Sequence, residues 1–66
     1  MKNEENKELK EFRIRMDLKQ AELAAKLGVS ESYYFKIESG QRTPSYAFLK
    51  KLKIKYPDID IDSMFF

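Results

Sequence analysis

Gln20-Ala-Glu-Leu23-Ala24-Ala-Lys-Leu27-Gly28-Val29-Ser30-Glu31-Ser32-Tyr33-Tyr34-Phe35-Lys36-Ile37-Glu38-Ser-Gly40 decides the fold of this 66-residue chain. Leu23, Ala24 and Leu27 recur at helical spacing and Gly28 stops the helix that they define. Ser30 is a good N-cap for a second helix running to about Glu38, and Gly40 supplies the positive backbone angle that closes it. Ala24, Gly28, Val29 and Ile37 fall where two short helices crossing tightly need a small residue, a turn and two apolar plugs.

Outward from this stretch, Leu9, Phe12 and Met16 recur at i, i+3 and i+7, which predicts an amphipathic first helix over roughly residues 4–16. Asp17 can end it, because Asp tolerates the left-handed conformation better than most residues. Pro44-Ser45 starts a fourth helix with Phe48, Leu49 and Leu52 inward, stopped before Pro57. Asp60 can cap a last turn, Ile61 to Phe65. No stretch alternates long enough to argue a strand, so the expectation is an all-α domain of five short helices with a helix-turn-helix at about 20–38. It is one domain over 1–66, with residues 1–6 expected to be a frayed N-terminal extension.

Composition narrows the chemistry. There is no cysteine and no histidine, which removes disulfides, the usual zinc sites, thiol nucleophiles and an imidazole base. No carboxylate pair is set beside a nucleophile, so no enzyme reading arises and no cofactor is expected. Asp58-Ile-Asp60-Ile-Asp62 lacks the glycine and the later glutamate of a calcium loop. It reads instead as a capped helix start. No apolar run approaches the roughly 18 residues that span a bilayer, and the charged N-terminus is unlike a signal peptide, so a cytoplasmic location is expected, with no membrane partner. Net charge is only +2, but Arg42, Lys50, Lys51, Lys53 and Lys55 form a basic stretch without an acid, while Asp58, Asp60 and Asp62 follow without a base. A local basic stripe fits nucleic acid, and fits a solvated helix face equally well.

Leu9-Lys-Glu-Phe12-Arg13, Leu18-Lys-Gln20-Ala-Glu-Leu23-Ala24-Ala-Lys-Leu27-Gly28-Val29-Ser30, Lys36-Ile37-Glu38-Ser-Gly40 and Pro44-Ser45 are correctly spaced for one known family. Over residues 9–65 the chain resembles the lambda repressor/Cro-type (XRE) helix-turn-helix family. The resemblance implies a bacterial or phage protein that binds double-stranded DNA sequence-specifically, usually as a homodimer on a palindromic operator, and most often represses transcription. It implies no small-molecule substrate. It also assigns roles. Gln20 would reach a phosphate and prop the first residue of the third helix. Ser30, Glu31, Ser32 and Lys36 would face the groove, with Tyr33 beside the DNA backbone. Gln41, Arg42 and Thr43 would clasp a phosphate, and Arg13 and Glu38 would form a partly buried structural ion pair.

Several positions depart from the family pattern. Lys19 replaces the usual cap of the second helix, at a typical cost of about 1 kcal/mol, and could touch phosphate instead. Glu31 is acidic at a groove-facing position, where it can accept from a cytosine amino group or simply stabilise the first helical turn. Tyr34 replaces a β-branched core residue, so its hydroxyl needs a partner. Phe35 stands where a small polar residue is usual and is expected to lean on the first helix or on a partner. The tail from Tyr56 to Ile61 carries about one extra residue. Met64, Phe65 and Phe66 can fold back onto Phe12 and Leu52 or form a dimer contact, and Ile14 can extend that patch or join the core. Two rival readings remain: a protein-interaction module on the same fold, such as an antitoxin or anti-repressor component with weak DNA binding, and an RNA-binding helical module, for which only Tyr33 qualifies.

Overall fold

In the computed structural model, which describes residues 5–66, five helices follow in the order α1 (Lys7–Arg15), α2 (Gln20–Leu27), α3 (Glu31–Glu38), α4 (Tyr46–Lys55) and α5 (Ile61–Phe65). No strand occurs among the described residues, and none of these helices is long and apolar enough to cross a membrane.

The first three helices end in the same way. Asp17, Gly28 and Gly40 have φ of 60°, 71° and 85°, and each donates its N–H to a carbonyl three residues back: Ile14, Ala25 and Ile37. The following residue donates five back, Leu18 to Arg13, Val29 to Ala24 and Gln41 to Lys36. This pair of bonds is the Schellman motif, which satisfies the last carbonyls of a helix while turning the chain sharply. The first two turns fold α1, α2 and α3 back on one another with very short connections, and the third turns the chain out of α3 toward α4.

The starts are fixed by side chains. Ser30 Oγ, Ser45 Oγ and Asp60 Oδ1 accept from the N–H of Tyr33, Phe48 and Ser63 at 3.0, 3.1 and 3.1 Å. At α2 the lysine offers no acceptor, but Glu22 Oε1 accepts the Lys19 N–H at 2.7 Å. Half of a capping box is therefore kept although the cap itself is lost.

α1 begins later than its periodicity predicts. Asn6 caps it, its Oδ1 accepting from Leu9 N at 3.0 Å, so the helix starts at Lys7 rather than near residue 4. Residues 1–4 of the expected extension lie outside the described residues. Asn6, at its end, is held on three sides: its N–H donates to Glu38 O at 2.7 Å and its Nδ2 to Met64 O at 3.0 Å.

The core comprises Leu9, Phe12, Leu23, Ala24, Leu27, Tyr34, Ile37, Phe48, Leu52 and Ile59. Ala24 is buried where α2 meets α3, and a larger side chain there would separate the two helices. Met16 departs from expectation: it is 44% exposed, because α1 stops at Arg15 and the turn through Asp17 breaks the helical phase. Tyr56 packs edge-on against Phe12 instead, with ring centroids 5.1 Å apart. Ile14 is also exposed and does not join the core. Leu49 is only partly buried, against the core's edge.

Candidate nucleic-acid interface

Successive side chains on a helix project about 100° apart, and α3 divides its residues accordingly. Tyr34, Ile37 and Glu38 are buried, whereas Glu31, Ser32, Phe35 and Lys36 are exposed together on the opposite side. Ser30 lies at the head of this face with its hydroxyl engaged as the cap. Consecutive Tyr33, Tyr34 and Phe35 thus point in three directions and present no common aromatic surface.

α3 is held by one buried carboxylate. Glu38 Oε2 accepts from Arg13 Nε at 2.9 Å and from the Tyr34 hydroxyl at 2.6 Å. Its Oε1 accepts from Arg13 Nη2 at 3.1 Å and Gln20 Nε2 at 3.0 Å. Arg13 Nη1 donates to Leu18 O at 2.8 Å, so the guanidinium spans a bidentate carboxylate contact and the turn after α1. Burial alone would raise the Glu38 carboxyl. The hydrogen bonds from Arg13, Tyr34 and Gln20, with the Arg13 charge, hold it below the usual carboxylate range. The hydrogen bond to Glu38 raises Arg13 above its already high value. Burial and the adjacent carboxylate push the Tyr34 phenol far up, so it remains a donor. Gln20 therefore braces Glu38, the last residue of α3, and not the first residue as the resemblance implies, one amide hydrogen going to the carboxylate.

Beyond α3, Gln41 N and Arg42 N both donate to Lys36 O, at 2.9 and 3.2 Å, which draws the exposed Gln41, Arg42 and Thr43 against the end of the exposed face of α3. The Arg42 guanidinium lies 5.3 Å over the Tyr33 ring, a cation–π arrangement. Tyr33 Oη accepts from Ser45 N at 3.1 Å and lies 3.4 Å from Ser45 Oγ, and its ring packs edge-on against Phe48. Burial raises the Tyr33 phenol, but the Ser45 hydrogen bonds and the Arg42 charge more than offset this and leave it lowered. Tyr33 is thus a brace between α3 and α4 whose outer side is covered by a cation.

Ser30, Tyr33, Arg42, Ser45 and Lys51 line a shallow cleft between the starts of α3 and α4. The sequence places Ser45 at a helix start and Lys51 in a basic stretch, and gives neither a place in this cleft. Lys51 sits in the basic stretch 50–55, and the missing signal is its helical phase: Lys50 and Lys53 line a different groove. The exposed Lys19 stands at the start of α2, away from this cleft.

That second groove runs between α4 and α5. Tyr46, Ile54 and Phe66, exposed by 78, 69 and 87%, are the three most exposed large apolar side chains among the described residues, and all three line it. Lys50 and Lys53 stand on the same groove as Asp60 and Asp62. Met64 and Phe65 fold back against the core, and Phe66 does not.

A family model described as helix-turn-helix matches residues 9–61. No curated protein and no solved structure gives a significant match.

Proposed function

The chain belongs to the lambda repressor/Cro-type helix-turn-helix family, a family of DNA-binding regulators, and from that premise we propose that it is a sequence-specific repressor acting as a homodimer with α3 in the major groove of an operator. The observation that carries this reading is the exposed face of α3, on which Ser32 and Lys36 stay open while the Glu38 hydrogen bonds fix the helix to α1 and α2. Ser32 can exchange hydrogen bonds with either kind of base edge, Lys36 can donate to guanine O6 and N7, and Glu31 can accept from cytosine N4. Arg42, Lys51, Lys19, Gln20, Gln41 and Thr43 supply phosphate contacts, which set affinity and salt dependence rather than sequence preference. Repression follows from occupying DNA that RNA polymerase needs, in the cytoplasm of a bacterial cell.

Dimerisation is supported by the α4–α5 groove. Its exposed Tyr46, Ile54 and Phe66 form an apolar strip beside two lysines and two aspartates. A two-fold axis across such a surface can set each lysine pair against the partner's aspartates, the self-complementarity that an isologous interface requires. Two chains so joined would present two α3 helices to successive major grooves about 34–36 Å apart.

The test is selection from a randomised duplex library, with the bound pool sequenced. A palindromic motif with half-site centres about ten base pairs apart supports the reading. Absence of enrichment at moderate salt overturns it, and the same apolar groove then favours the protein-interaction reading, an antitoxin or anti-repressor component.

A further inference from the structure

Phe35 is 46% exposed on the same face of α3 as Glu31, Ser32 and Lys36. It follows Glu31 by four residues and Ser32 by three, so its ring lies within one helical turn of both. Its neighbours in sequence, Tyr34 and Lys36, point to the core and to solvent respectively, and Phe35 lines none of the clefts in which the other exposed aromatics gather. It is the only large apolar side chain left open on α3.

Among the groups that base pairs present in the major groove, the 5-methyl of thymine is the one alkyl group, and it is the usual target of an apolar side chain there. A phenyl ring among polar groove-facing residues has that single apolar counterpart. Lys36, the exposed cation next to it on α3, suits a duplex whose phosphates flank the bases. We infer that Phe35 is a specificity-determining residue, reading the 5-methyl group of a thymine in the half-site. This rests on the DNA-reading proposed above and names one of its base contacts.

The experiment takes the selected operator and replaces each thymine in turn by deoxyuridine, which removes only the methyl. Wild-type protein is expected to lose about fourfold in affinity at one thymine per half-site, the change that ~0.8 kcal/mol per buried CH₂-sized group gives at 1.4 kcal/mol per tenfold. Phe35→Ala binds that operator more weakly and no longer distinguishes thymine from uracil there, whereas Phe35→Leu retains part of the preference. Because Phe35 is open to solvent, both variants are expected to melt near the parent, and circular dichroism checks this. If uracil is tolerated at every position, or if Phe35→Ala stays sensitive to the methyl, the inference fails although the library selection still yields a motif. If that selection yields no motif, the DNA-reading fails and takes this inference with it.

Discussion

The Tyr34 hydroxyl donates to Glu38 Oε2 at 2.6 Å, one turn along the same helix and inside the core. The bond resolves how an aromatic ring can occupy an apolar core position of α3: the ring fills the core against Phe48, 6.4 Å between centroids, and its polar end completes the shell of donors around a buried carboxylate. Arg13 and Gln20 supply the rest, so one anion ties α1, α2 and α3 together. No buried side-chain polar atom among the described residues lacks a partner.

Removing Arg13 or the Tyr34 hydroxyl, two of the three partners of Glu38, should cost stability in unequal amounts. Arg13→Ala leaves the carboxylate without its counter-charge and is expected to destabilise by about 3 kcal/mol or more. Tyr34→Phe deletes one charge-assisted hydrogen bond while keeping the ring, at about 1.5–3 kcal/mol. Urea unfolding measures both. An Arg13→Ala midpoint close to the parent's would refute a stabilising buried pair.

Glu38 also sets an acid limit. Its carboxyl is held below the usual range in the fold, so the stability it contributes is fully present above the unfolded value of about 4.3 and is lost as pH falls through the lower folded value. Carbon-detected NMR titration of the Glu38 carboxyl is expected to give a midpoint below 4.3, and Tyr34→Phe should move it upward. A wild-type midpoint at or above 4.3 would contradict the assignment.

Lys19→Ser should stabilise the protein by about 1 kcal/mol by restoring the acceptor at the start of α2, raising the melting temperature by roughly 4–8 °C for a domain of this size. Glu22 already takes the Lys19 N–H, so the serine would complete a reciprocal pair. If Lys19 also contacts phosphate, the same variant shows a shallower salt dependence of DNA binding.

Binding to DNA should separate the cations by role. Arg42→Ala and Lys51→Ala are each expected to weaken all duplexes alike and to reduce the slope of log K against log salt by about 0.9. Lys36→Ala should weaken the preferred site by about 1–3 kcal/mol more than random DNA. Equal loss on both kinds of DNA would make Lys36 a phosphate contact only.

Ile54→Glu places a charge in the apolar α4–α5 groove while leaving the core untouched. Sedimentation of the complex with a palindromic site should show two cooperatively bound chains for the parent and independent, weaker half-site binding for the variant. Unchanged cooperative binding would remove this groove from the dimer contact.

Helix order, turns and most of the core were legible from residues acting locally. Gly28, Gly40 and Asp17 mark the left-handed stops, Ser30, Ser45 and Asp60 the caps, and Leu9, Phe12, Leu23, Leu27, Ile37, Phe48 and Leu52 the apolar phase. These signals work within a few residues, through backbone sterics, capping and helical periodicity, and a linear pattern exposes them. The DNA-facing roles on α3 came instead from the family resemblance. What only the tertiary structure decided are contacts between elements distant in sequence. Asn6 reaches Glu38 and Met64, Gln20 turns its amide to Glu38 across 18 positions, and Arg42 lies over Tyr33. Tyr46, Ile54 and Phe66 meet in one groove, and Lys51 rather than Lys50 joins the cleft beside α3. A side chain's direction at such a place depends on how whole helices are packed, because a rotation of one residue's phase moves it about 100° around the axis.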